Sequence, residues 1–125
     1  MSSPTRADRR VVATGDAAFV PFDRYGDPIP KLSWLPISYD AESGQGSFLI
    51  RFEPGGRSLP HEHTGYEEFV VLEGALIDND GAVFRAGDLV SFEPGSRHAS
   101  HAPDGCLLAV FMRGINRPLE AGEDL

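Results

Sequence analysis

The 125-residue chain has one cysteine, Cys106, so no intrachain disulfide can form and no thiolate metal cluster can be built within one chain. A metal held here must therefore be held by histidine and carboxylate. No apolar run approaches the roughly 20 residues needed to cross a bilayer, and the opening MSSPTRADRR has no apolar core of a signal peptide, so the expected location is the cytoplasm. Positive charge is scarce, with 11 Lys and Arg against 19 Asp and Glu and a net charge of -8, which argues against nucleic acid or an anionic membrane as partner. A small molecule, neutral or captured by a metal, is the partner left. Helical periodicity is also missing. In its place stand 14 Gly and 10 Pro, a surplus of turn formers that favours many short strands in a single domain.

Residues 1–16 read as a polar arm or a first edge strand. Pro21, Pro28, Pro30 and Pro36 exclude a long helix from Phe19 to Asp40 and predict an extended lead-in with one strand around Ser33 to Tyr39, its Trp34 and Leu35 packing on the core. From Gly46 onward the pattern becomes regular. Phe48, Ile50 and Phe52 alternate on one strand face, and Glu53-Pro54-Gly55-Gly56 turns the chain. Strands follow at Glu67 to Leu72, then after a break at Glu73-Gly74 at Ala75 to Ile77, then beyond the hairpin signal Asp78-Asn79-Asp80-Gly81 at Ala82 to Phe84, Leu89 to Phe92 and Leu107 to Arg113. Such spacing predicts an all-β sandwich or closed barrel over residues 17–114, followed by a polar tail over 115–125. Phe69, Val71, Phe92, Val110 and Met112 join the alternating residues as core or cavity lining, and a second layer or a dimer contact must cover Val70 and Leu72 on the opposite face. Cys106 opens an apolar run and is expected to be buried and structural.

Three of the four histidines carry the chemistry. His61 and His63 share parity, so on extended backbone both imidazoles face one way, and Glu67 keeps that parity four residues on. His98 follows a strand and a hairpin later, where a closed barrel brings it opposite. Neutral imidazole and carboxylate suit Mn, Fe, Co, Ni, Cu and Zn, and three imidazoles with one carboxylate leave open positions on a five- or six-coordinate ion.

The segment Gly55 to Gly74 resembles the first motif of the cupin superfamily: Gly55, five residues, His61-Glu62-His63, three residues, Glu67, six residues, Gly74. Glu68 breaks the distance to Gly74, so Glu67 is the ligand this register implies. Gly87, Gly95 and His98 keep the spacing of the second motif, although Glu93 stands where proline is expected and Ala102 where asparagine is. Across residues 45 to 114 the wording is similar to the ChrR-like cupin group. That group includes the cupin half of zinc-binding anti-sigma factors and proteins similar to acetylacetone-cleaving and dihydroxyacetophenone dioxygenases.

The resemblance implies a single cupin barrel, an RmlC-like jelly roll, that holds one divalent transition metal through His61, His63, Glu67 and His98. Fe(II) or Zn(II) is the expected ion, with Mn(II), Ni(II), Co(II) and Cu(II) also suited. It implies a dioxygenase-like enzyme acting on a small carbonyl or phenolic compound. The alternatives are a small-molecule or oxidant sensor, or a non-oxidative Zn or Mn isomerase or lyase. Relatives of this kind are often homodimers, and a homodimer is expected here. His101, of opposite parity to His98, is a candidate outer group or proton shuttle, and Tyr66 a candidate for the cavity mouth. Arg51 and Arg113 are expected to point outward.

Overall fold

A computed structural model describes residues 6–125. The first five residues of the expected arm lie outside the described residues. Residues 6–16 form no strand, but Arg10 donates to the Pro36 carbonyl at 3.2 Å and so runs along the barrel edge.

Twelve strands follow in order: β1 (Val20–Pro21), β2 (Leu32–Pro36), β3 (Gln45–Phe52), β4 (Gly56–Arg57), β5 (His61–His63), β6 (Glu67–Asp78), β7 (Val83–Arg85), β8 (Leu89–Phe92), β9 (Arg97–His98), β10 (Ser100–Ala102), β11 (Cys106–Arg113) and β12 (Asn116–Pro118). Among the described residues there is no helix, and none therefore long and apolar enough to cross a membrane. A nine-stranded antiparallel sheet runs β1-β2-β3-β11-β6-β10-β4, with β7 and β8 also pairing to β6, and a three-stranded sheet runs β12-β5-β9. The fold is all-β, as the turn spacing implies.

Alternation sets the two faces. Phe48, Ile50 and Phe52 of β3 and Leu108, Val110 and Met112 of β11 point inward and are buried, as are Phe69 and Val71 of β6. Phe22, Trp34 and Phe48 close one end with edge-on ring contacts at centroid distances of 5.1 and 5.4 Å. Cys106 is buried in this core, where desolvation pushes its thiol up to about 12. Outward residues include Arg113, paired with Glu68 at 3.4 Å, and Arg51, 3.9 Å from Glu73.

The structure departs from the expected strands at β6. The break at Glu73-Gly74 does not occur, and one strand runs through to Asp78. Gly74 instead takes a φ of +75° inside the strand, and the pairing to β11 slips, so that Leu107 faces Glu73 while Leu108 faces Val71. Leu72 is the extra residue of this bulge. The slip reverses parity: Glu67, Phe69 and Val71 point inward before it, Leu76 and Asp78 after it. One long strand thus pairs with β8 and β11 over its first half and with β7 and β10 over its second. In the stretch expected to be a tail, Asn116–Pro118 pair with β5.

Candidate metal centre

Three short strands build one wall of the site. On β5, His61 and His63 point inward and Glu62 between them points outward. Register then fixes the neighbours, with His61 opposite His98 on β9 and His63 opposite Asn116 on β12. The outer face of the same sheet is tied by charge: Arg97 donates to Glu62 at 2.9 Å, and Arg117 donates twice to Glu123 at 3.0 Å. Glu67 enters from the start of β6, opposite Phe92 and Met112.

His61, His63, Glu67 and His98 are all buried, and one ligand atom from each lies within 4.8 Å of every other. The imidazole centroids are 4.6 to 4.9 Å apart. The structure therefore brings together all four expected ligands.

The outer hydrogen bonds settle which ring nitrogen faces the centre. His61 Nδ1 is 2.7 Å from the Leu59 carbonyl, which can only accept, so Nδ1 carries the proton. His98 Nδ1 is 2.7 Å from Asp78 Oδ1 and donates to it. His63 Nδ1 is 2.9 Å from Ser96 Oγ, and that hydroxyl already donates to the Glu93 carbonyl at 2.6 Å, so it accepts from His63. Each imidazole thus presents a bare Nε2 lone pair inward, the arrangement in which outer partners orient metal-binding histidines.

Two consequences test whether a metal fits. Among the described residues, His98 Nε2 is buried with no hydrogen-bond partner. His63 Nε2 and Glu67 Oε2 lie 2.8 Å apart, although with these tautomers both are acceptors, and two acceptors at that distance need a cation or a proton between them. Glu67 Oε1 accepts from Asn116 Nδ2 at 3.0 Å, which leaves Oε2 as the single inward oxygen. An N3O donor set of this kind fits a divalent transition metal.

Burial pulls His61 down to about 4, so it is neutral and ready to ligate at neutral pH. Burial alone would raise the Glu67 carboxyl, but the His63 and His61 imidazoles beside it and the Asn116 amide bring it down to about 2. The His61 shift carries a stability consequence for the metal-free protein. The unfolded chain binds that proton more tightly than the folded one, so the His61 contribution is complete above about pH 6.5 and is lost as the pH falls toward 4. It amounts to about 3 kcal/mol in all. Urea midpoints of chelator-treated protein at pH 7.5 and 5.0 should differ accordingly, and equal midpoints would contradict it.

A cavity of about 70 Å³ opens onto His61, Glu67 and His98. Its walls include Phe22, Phe48, Phe52 and Phe69, with Ser58 and Ser100 beside the imidazoles. His63 lies behind, fully buried, and the Phe92 ring packs 4.2 Å from His98 and 5.0 Å from His63. Approach to the ligand atoms is therefore from the cavity side.

The candidates beside the site fall away from it. His101 sits half-buried on β10, opposite Arg57 and Ile77, its neighbours Ser100 and Ala102 being the inward residues. Tyr66 is 41% exposed under the Arg113 guanidinium and is not among the residues that line the cavity. Ala102, at the second motif's asparagine position, is fully buried in the apolar core. Sequence reasoning missed Asp78, Ser96, Asn116 and Tyr25. Asp78 was hidden in a hairpin signal, and the other three lie in segments without periodicity.

The solved structures similar to this chain share its fold. An acetylacetone dioxygenase from Acinetobacter johnsonii superposes with a TM-score of 0.75 at 14% identity, over 100% of this chain and 87% of that one. An RmlC-like cupin from Ralstonia eutropha JMP134 gives 0.73 at 18%, over 89% and 72%. The polyketide cyclase RemF from Streptomyces resistomycificus gives 0.66 at 21%, over 93% and 89%. No curated protein matches. The ChrR cupin-like domain matches residues 7–116, nearly the whole chain, and the protein belongs to that cupin family.

Proposed function

We propose that this protein is a metal-dependent, dioxygenase-like enzyme that uses Fe(II), held by His61, His63, Glu67 and His98, on a small carbonyl or phenolic compound. The observation that carries the reading is a three-histidine, one-carboxylate centre with bare lone pairs opening onto an apolar cavity. A bound ion supplies Lewis acidity and redox chemistry toward dioxygen. The chain's own residues do the rest. The apolar walls exclude water and take the body of the compound, and His63 and Phe92 close the far side so that it enters against His61, Glu67 and His98. The similar structures support this substrate class, since acetylacetone and polyketides are both carbonyl compounds.

The test is oxygen consumption by Fe(II)-loaded protein across a panel of β-diketones and hydroxyacetophenones. Uptake with at least one compound, abolished in His61→Ala, is the expected result. If the protein holds zinc tightly and consumes no oxygen across the panel, the dioxygenase reading fails and non-oxidative isomerase or lyase chemistry, or ligand sensing, takes its place.

A further inference from the structure

We propose that Tyr25 anchors the ligand of this site, its phenolic O–H donating a hydrogen bond to an oxygen anion, enolate or carboxylate, carried on a small apolar body. The inference rests on the metal-site reading above and specifies what that site accepts.

Tyr25 lies in the loop between β1 and β2 and lines the same cavity as His61, Glu67 and His98. Its ring is held on two sides. The Phe22 ring meets it edge-on at 6.0 Å and 76°, and the Arg24 guanidinium lies 5.3 Å from its centroid. Arg24 is itself tied to the Tyr39 hydroxyl and lies over that ring at 5.2 Å, so the aromatic pair clamps the cation that caps Tyr25.

The hydroxyl is linked to the centre through Asn116. That amide gives one N–H to Glu67 Oε1 at 3.0 Å and lies beside the Tyr25 oxygen. Tyr25 lines that cavity, where a neutral phenol has an O–H hydrogen to donate to a ligand. Burial, reinforced by the Glu67 charge, pushes the phenol up to about 12, which keeps it a neutral donor at physiological pH.

Charge defines the partner. Three neutral imidazoles, one carboxylate and a divalent ion leave one net positive charge in a pocket walled by Phe22, Phe48 and Phe69. A monoanion cancels that charge where a dianion or a neutral molecule would leave one uncompensated away from water.

The experiment uses the full chain loaded with Zn(II), which binds ligand without turnover, and compares it with Tyr25→Phe. That substitution keeps the ring and removes one oxygen. Zinc content and affinity, thermal midpoint, and calorimetric titrations with acetylacetone and with benzoate are read for both proteins. The expected result is equal zinc binding and equal thermal midpoints, with affinity for the probe reduced by about 10-fold or more in the variant, as befits a hydrogen bond to a charged acceptor. A loss seen with acetylacetone alone assigns enolates, and one with benzoate alone assigns carboxylates. Undiminished probe binding by Tyr25→Phe overturns the inference and leaves the metal centre standing. So does zinc-loaded wild-type protein that binds neither probe, and so does a parallel fall in zinc affinity, which would make Tyr25 a support for Glu67. A wild-type protein that holds no divalent metal overturns the underlying reading and this inference with it.

Discussion

His98→Ala should lose its divalent metal by a wider margin than any change outside the four ligands. The Nε2 of His98 has no partner among the described residues, so it loses nothing on binding an ion, and without it three donors remain. The substitution also strands Asp78, a buried carboxylate that accepts from His98 Nδ1 at 2.7 Å. An orphaned buried charge is costly in its own right. Asp78→Asn provides the graded comparison. It keeps the shape of the side chain but weakens the bond that holds the His98 proton on Nδ1, and affinity should fall by about 10–100-fold, the usual range for outer partners of metal-binding histidines. Competition against a fluorescent chelator, with metal content by mass spectrometry, would rank the three proteins wild type, Asp78→Asn, His98→Ala. Wild-type stoichiometry and affinity in His98→Ala would remove this histidine from the centre.

Gly74→Ala should destabilise the fold by about 3 kcal/mol, from a left-handed backbone imposed on alanine together with a steric clash. Its φ is +75°, and an added Cβ would lie 2.3 Å from the Gly105 carbonyl oxygen, a backbone atom that cannot rotate away. Gly87→Ala serves as control. Its φ of +96° carries a similar backbone penalty, but a Cβ there meets nothing within 4 Å, so only the conformational part, about 1 kcal/mol, should appear. Urea titrations of the two variants separate clash from strain, and equal losses would place the cost in φ alone. Because Gly74 sits in the bulge that turns Asp78 inward, its variant should also bind metal less tightly.

The contrast between Glu67 and Asp78 marks how far the sequence could be read. Both lie on β6, and counting parity from Glu67 would send Asp78 outward; one extra residue at Leu72 reverses that count. A bulge leaves little local signature beyond a glycine, and Gly74 reads equally well as a turn. The four candidate ligands were legible because alternation puts His61, His63 and Glu67 on one face, and the resemblance to the two cupin motifs fixes Glu67 over Glu68 and the register of His98. Asn116 and Tyr25 depend on long-range pairing instead. Asn116 is placed by register with His63, from a segment whose acidic composition reads as tail. Tyr25 is placed by aromatic packing on Phe22 in a proline-rich loop. Neither contact is written into the residues that flank it.

The bare lone pairs that converge on the centre have a meaning for the life of the protein as well as for its chemistry. Without an ion a proton must lie between His63 Nε2 and Glu67 Oε2, 2.8 Å apart, while Ser96 holds the far side of the His63 ring and Asn116 the other Glu67 oxygen. An ion that binds there would displace that proton. An ion that binds only the folded state adds stability in proportion to the logarithm of its free concentration over the dissociation constant, about 4 kcal/mol at a thousandfold excess. If such an ion fills the site in the cell, its supply would also set how long each copy survives proteolysis, and scarcity would thin the population of the protein.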